Sequence, residues 1–185
     1  MIRSYLSKPD GTIDCGLSHD QIRQALADEQ SLVWVDIEGP EDAEVELLLE
    51  VFDLHPLTVE DCIMTNVRPK LDEFERYLFI VMQGLQRVDG RLRAAELDIC
   101  LGKNFLITVR SERIKSVDDD CTRVEKKSPI CRRGADFLFY AIADSLINSY
   151  FPLLEEVEMR VDELETKLLS DHTNETLREI FYVYQ

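Results

Sequence analysis

Two adjacent carboxylates, Glu60 and Asp61, stand in the stretch His55-Pro-Leu-Thr-Val-Glu-Asp-Cys62. Carboxylates offer the oxygen ligands that hard cations such as Mg²⁺ and Ca²⁺ take, and Mg²⁺ usually keeps several of its waters. One or two carboxylates on each of two surfaces therefore suffice for a weak regulatory site. A second polar line, Asp136, Asp144 and Asn148, interrupts an apolar stretch at spacings of eight and four residues. At about 3.6 residues per turn these share one helix face. A buried charge there must be paired, hydrogen-bonded or metal-bound. Arg68, Arg132 or Arg133 could pair it, or it could stand at an exposed rim. Glu60 and Asp61 also have a purely structural reading, as acids that complement a helix dipole. His55 and Cys62 could meet, but two ligands do not make a zinc site.

The signatures of catalysis are missing. There is no nucleophile–base pair, no G-x-S-x-G, no H-E-x-x-H and no glycine-rich phosphate loop. Gly102-Lys103 lacks the upstream glycine spacing and the following Ser or Thr. A metal-dependent hydrolase using Glu60, Asp61 and Asp144 is therefore disfavoured, and the chain is expected not to be an enzyme. An acidic interaction module remains a third class.

The elements that must position these groups can be read in order. Ile2 to Leu6 suits a first strand, and Pro9-Asp-Gly11 a turn. Ser18 is a good N-cap for a helix carrying Ile22, Ala25 and Leu26. Leu32 to Ile37 reads as a strand that Asp36 interrupts, which suggests a strand end at a sheet edge. Trp34 reads as core. After Gly39-Pro40, Val45, Leu48, Leu49 and Phe52 form a helical stripe. Pro56 suits a first helical turn, and Pro69 stops a helix and favours an extended Arg68.

Tyr77 to Leu85, Leu97 to Leu101 and Phe105 to Val109 read as consecutive strands, with turns at Asp89-Gly90 and Gly102-Lys-Asn104. They predict an antiparallel meander beside helix-linked strands. Ser111 to Glu125 reads as a polar helix, and Ala135 to Phe151 as a buried one, apolar on several faces. Beyond Pro152 the stripe Leu153, Val157, Val161, Leu164 and Leu168 opposes Glu155, Glu156, Glu158, Asp162, Glu163 and Glu165. A last helix capped by Thr173 or Asn174 would complete a helical hairpin.

At 185 residues the chain can bury a sizeable core. Its net charge of −16 disfavours nucleic acid, which needs basic patches, and favours multivalent cations or basic partners. Cys15, Cys62, Cys100, Cys121 and Cys131 are scattered and odd in number, without C-x-x-C, which points to a reducing compartment. No signal peptide is expected, and no apolar run is expected to approach the roughly 20 residues that span a bilayer. The end, Leu177 to Gln185, reads as a helix without a stop, as in a truncated chain.

The run HPLTVEDC, then RPKLDEF followed by YLFIVM, resembles the soluble domain of the CorA family of divalent-cation channels. So does Gly134-Ala-Asp-Phe-Leu-Phe-Tyr140 leading to Ser149-Tyr-Phe151, with an acidic helix beyond. The order and spacing match along most of the chain. The family's membrane part, with its Gly-Met-Asn signature, does not occur in it.

The resemblance implies a regulatory metal site at the subunit interfaces of a homopentamer. The family's acidic pair falls on Glu60 and Asp61. Its later acid falls on Asp144, with Asn148 one turn on, where some members carry another acid. A histidine ligand of some members falls on Asn66, and a further family acid would lie beyond Gln185. The implied function is a cytoplasmic domain, at the inner face of the cell membrane, sensing Mg²⁺ (Co²⁺, Ni²⁺ or Zn²⁺ as alternatives) to gate an Mg²⁺ channel. The membrane would be reached only through a C-terminal part. The same domain of a zinc-transporting relative is the alternative. The expected fold is α/β, a mixed central sheet flanked by helices as an α/β/α sandwich, with an extending C-terminal helical hairpin. Residues 1–133 would form the regulatory domain and 134–185 the helical segment leading to a stalk.

Overall fold

The computed structural model describes residues 1–64, 68–88, 90–126 and 128–170. The strands are β1 (Ile2–Ser7), β2 (Ile13–Cys15), β3 (Leu32–Glu38), β4 (Lys70–Glu73), β5 (Tyr77–Val88), β6 (Arg91–Gly102) and β7 (Phe105–Arg110). The helices are α1 (His19–Leu26), α2 (Asp42–Glu46), α3 (Pro56–Ile63), α4 (Lys115–Glu125), α5 (Ala135–Asn148) and α6 (Phe151–Ser170). The strands form one sheet in the order β2-β1-β3-β7-β6-β5-β4. Among the described residues only β3 and β7 pair in parallel, and β5, β6 and β7 form the expected antiparallel meander.

Alternation along the strands sends side chains to opposite faces. On one face Trp34, Ile80, Ile99 and Leu106 meet Val117, Cys121 and Val124 of α4 and Leu138, Ile142 and Leu146 of α5. On the other, Val35, Phe79, Val81, Cys100 and Ile107 meet Ile22 of α1, Leu47 and Leu48, and Val59 and Cys62 of α3. The mixed sheet between two helical layers is the architecture expected from the sequence. The last helix of the expected hairpin lies outside the described residues.

The chain divides into two compact units, residues 1–147 and 148–185. The sequence reading put its boundary at residue 133. The first unit runs on through nearly all of α5 because that helix buries Ala135, Leu138, Ile142 and Leu146. In the second unit, α6 keeps Glu155, Glu158, Asp162, Glu163 and Glu165 exposed and buries Leu164.

Local rules explain the element starts. Ser18 and Gln21 form a reciprocal capping box at α1. His55 caps α3 by accepting the Leu57 N–H at Nδ1, with Pro56 following. Gly90, at φ +77°, supplies the left-handed conformation of the β5–β6 turn.

Several expectations are corrected. Asp36 does not mark a sheet edge. It lies in β3 between β1 and β7, 1% exposed, bound by Arg110 at 3.1 Å, Arg3 at 2.8 Å and the Thr108 hydroxyl at 2.8 Å. Trp34 is core as expected, and its Nε1–H also donates to Thr108. The stripe after Gly39 is shifted. Leu47, Leu48 and Phe52 are buried and Leu49 is exposed, because Leu47–Val51 forms a π-helical turn closed by the Phe52 N–H on the Leu47 carbonyl.

Helix α5 is buried on one side only, with Tyr140 and Ile147 exposed. The expected absence of a long apolar stretch also fails. By length and composition alone, residues Ala135–Lys167 include a helical stretch able to cross a membrane. The inward residues of α5 pack in the core of the sheet unit instead. Strands β2 and β4 were not anticipated, being three and four residues long.

Candidate functional site

The position of α3 is fixed from below by aromatic contacts. The Tyr77 hydroxyl accepts the His55 backbone N–H at 3.0 Å and shares a hydrogen bond with Thr58 Oγ1 at 2.8 Å. The Phe74 ring stacks on Tyr77 and meets the His55 imidazole. Thr58, Val59 and Cys62 turn inward, so the intervening Glu60 points outward and Asp61 is half-buried. Leu57, Ile63 and Met64 are exposed around these acids, and Leu71 is exposed on the edge strand β4.

Asp61 has a partner. Lys70 Nζ lies 2.6 Å from Asp61 Oδ2 and 2.8 Å from Asp72 Oδ2, and stands 5.1 Å from the centre of the Phe79 ring. These hydrogen bonds raise the Lys70 pKa above its ordinary value, Asp61 contributing most.

The register places a second acid beside this group. Lys70 pairs with Val81, and Val81 with Asp98, so the three form one row across β4, β5 and β6 on the face that α3 covers. Asp98 is 3% exposed, and its Oδ1 has no hydrogen-bond partner among the described residues. Burial pushes its carboxyl up to about 8, Glu96 and Asp61 adding like charge and Lys70 opposing them. Glu96, two residues back on the same face, is also buried.

The other carboxylates expected from the sequence are elsewhere. Asp144 is exposed on α5, on the opposite face of the sheet from α3. Asn148 is exposed at the last residue of α5, in the second unit. Asp136 stands at the start of the same helix, where its Oδ1 accepts the Phe137 N–H. Asn66 lies outside the described residues. Within one chain, then, the acids of α3 and Asp144 are not brought together. No group of three or more His, Cys, Asp or Glu side chains among the described residues could hold a metal ion.

His55 and Cys62 do not form a zinc pair. The imidazole Nδ1 is engaged with the Leu57 N–H, and Cys62 is buried facing Cys100. Sequence reasoning missed Lys70, Asp72, Glu96 and Asp98. The available signal was alternation: Lys70 and Asp72, then Glu96 and Asp98, are charges at every second position of extended segments.

A second charged cluster is structural. Arg110, fully buried on β7, binds Asp36, Glu38 and Asp118 at 2.8–3.1 Å, joining β3 to α4. Burial opposes ionisation of Asp118, but hydrogen bonds from Arg113, Arg3 and Arg110 outweigh it and hold its carboxyl well below the usual range.

Comparison with known proteins places this architecture. The family model described as "CorA-like Mg2+ transporter protein" matches residues 29–185. A putative metal ion transporter of Bacillus subtilis is 36% identical over 132 residues, covering 71% of this chain and 41% of the relative. A cobalt/magnesium transport protein CorA of Thermotoga maritima is 31% identical over 156 residues, covering 82% and 44%. The chain thus spans less than half the length of these relatives. The structure of the soluble domain of CorA from Methanocaldococcus jannaschii shares the fold at a TM-score of 0.75 and 23% identity, covering 98% of this chain and 69% of that one.

Proposed function

The chain belongs to the CorA-like Mg²⁺ transporter family, and from that premise we propose that it is the cytoplasmic regulatory domain of a divalent-cation channel, sensing intracellular Mg²⁺ where subunits of a homopentamer meet. The observation that carries the reading is the surface of α3. Glu60 and Asp61 are flanked there by exposed Leu57, Ile63 and Met64, a mixture of charge and apolar area that suits a contact with another subunit.

Glu60 and Asp61 would supply one half of the site. Asp144, on the opposite face of the sheet from α3, and Asn148 one turn further on would serve oxygens to a cation across a subunit boundary. Two acidic surfaces that approach closely need a cation between them, or one group must take up a proton. Bound Mg²⁺ would favour the closed pore, and its loss would release the repulsion and favour opening, a population shift driven by differential affinity. The net charge of −16 concentrates multivalent cations around the domain.

Magnesium is preferred over zinc, the second reading, because the groups displayed are oxygen donors. Zinc sites favour thiolate and imidazole, but Cys62, Cys100, Cys121 and Cys131 are buried, and the exposed Cys15 lies on β2, at the sheet edge opposite β4. Co²⁺ and Ni²⁺ are further candidates for the same oxygens.

The test is flux against cytosolic Mg²⁺ in the full-length protein, for wild type and Asp61→Ala. Weaker Mg²⁺-dependent inhibition with conduction retained is expected. An unchanged inhibition curve would remove Asp61 from the sensor.

A further inference from the structure

Asp61 already holds a cation, and that cation belongs to the chain. Lys70 Nζ donates to Asp61 Oδ2 at 2.6 Å and touches Asp72 Oδ2 at 2.8 Å, so both carboxylates converge on one ammonium. The Lys70 and Asp61 side chains are 30% and 33% exposed, which leaves the contact open to ions in solution. Lys70 sits on the edge strand β4, with Asp72 two residues away on the same strand face and the Phe79 ring beneath. The contacts of the ammonium with Asp72 and with the Phe79 ring do not depend on Asp61. A divalent ion bound to Asp61 Oδ2 would stand where Nζ stands, and two cations cannot share that point.

We propose that Lys70 is a tethered competitor for Asp61: a divalent cation engages this carboxylate only by displacing the ammonium onto Asp72 and the Phe79 face, and the lysine thereby sets the cation affinity of the α3 surface. The proposal rests on the reading of Asp61 as a sensor ligand and adds what weakens and gates that ligand. A strand-edge lysine holds the affinity low, so that only high ion concentrations fill the site. It also keeps the carboxylates of Asp61 and Asp72 compensated when no divalent ion is present.

The experiment is Mn²⁺ titration of the chain, with free Mn²⁺ read by electron paramagnetic resonance, for wild type, Lys70→Met, Asp61→Asn and the double variant. Lys70→Met should tighten Mn²⁺ binding about fivefold, the factor equivalent to about 1 kcal/mol for a partly exposed ion pair. The gain should vanish in the double variant. Lys103→Met, which deletes a lysine paired with Glu29 at a separate site, should give a smaller change.

Equal binding by wild type and Lys70→Met, including none by either, overturns the proposal, as does a gain that survives Asp61→Asn. If Asp61→Asn weakens binding while Lys70→Met does nothing, the competition fails and the sensor reading stands. If Asp61→Asn alone changes nothing yet abolishes the gain of Lys70→Met, the ion does not displace the ammonium in the unaltered chain, and both the competition and the sensor reading fall. A measurement on unaltered protein guards against misfolding of the variants. On Mg²⁺ addition the Lys70 side-chain NMR resonances should shift in step with the Asp61 carboxyl carbon, and a Lys70 signal unmoved at saturation overturns the proposal.

Discussion

Asp98→Asn should stabilise the protein, by an amount that grows with pH. Asp98 is buried, its Oδ1 lacks a hydrogen-bond partner among the described residues, and burial raises its carboxyl to about 8. In the unfolded chain an aspartate titrates near about 3.9. Below that pH both states hold the proton and the group has no effect on stability. Between the two values the folded state keeps a proton that the unfolded state has released, so stability falls as pH rises. The slope is about 1.4 kcal/mol per pH unit, and at pH 7 the accumulated cost is up to about 4 kcal/mol.

Asparagine cannot ionise and has nearly the same shape, so the variant escapes this cost. Urea denaturation can be followed by the fluorescence of Trp34, the chain's single tryptophan, which is fully buried in the sheet unit. The difference between variant and wild type should be near zero at about pH 4 and widen up to about pH 8, where it levels off. Taking the difference removes the general effect of the −16 charge. A constant offset across that range, or a variant less stable at pH 7, would refute the argument.

Arg110→Met should cost about 3–5 kcal/mol, since it leaves Asp36 buried with Arg3 as its remaining cation; a loss below about 1 kcal/mol in urea denaturation would show that Arg3 alone compensates Asp36. Gly102→Ala should lower stability by about 1–3 kcal/mol, because the added methyl would lie 2.2 Å from Phe105 Cε1 in the packed core. An unchanged melting temperature would mean that the Phe105 ring moves freely aside.

The strands β3, β5 and β7, the helix starts at Ser18 and Pro56, and the meander turns were legible because each depends on residues adjacent in the chain. Apolar runs, caps and proline act locally. The resemblance in HPLTVEDC and RPKLDEF added the order of elements and the acids of α3. Strands β2 and β4 were not legible, since three or four residues carry too little pattern and exist by pairing with β1 and β5.

The meaning of each charge was decided by tertiary structure. Asp36 looked like a break in a strand, yet it is a buried ion pair because the parallel pairing of β3 and β7 brings Arg110 to it across 74 residues. Asp61 looked like an open ligand, but the β4 edge delivers Lys70 to it. Asp144 looked like part of a buried polar line, whereas α5 turns it to solvent on the other face of the sheet. Sequence sets which segments become strands and helices through local periodicity. Strand order and register then decide which distant charges meet, and a carboxylate's role follows from the partner it meets.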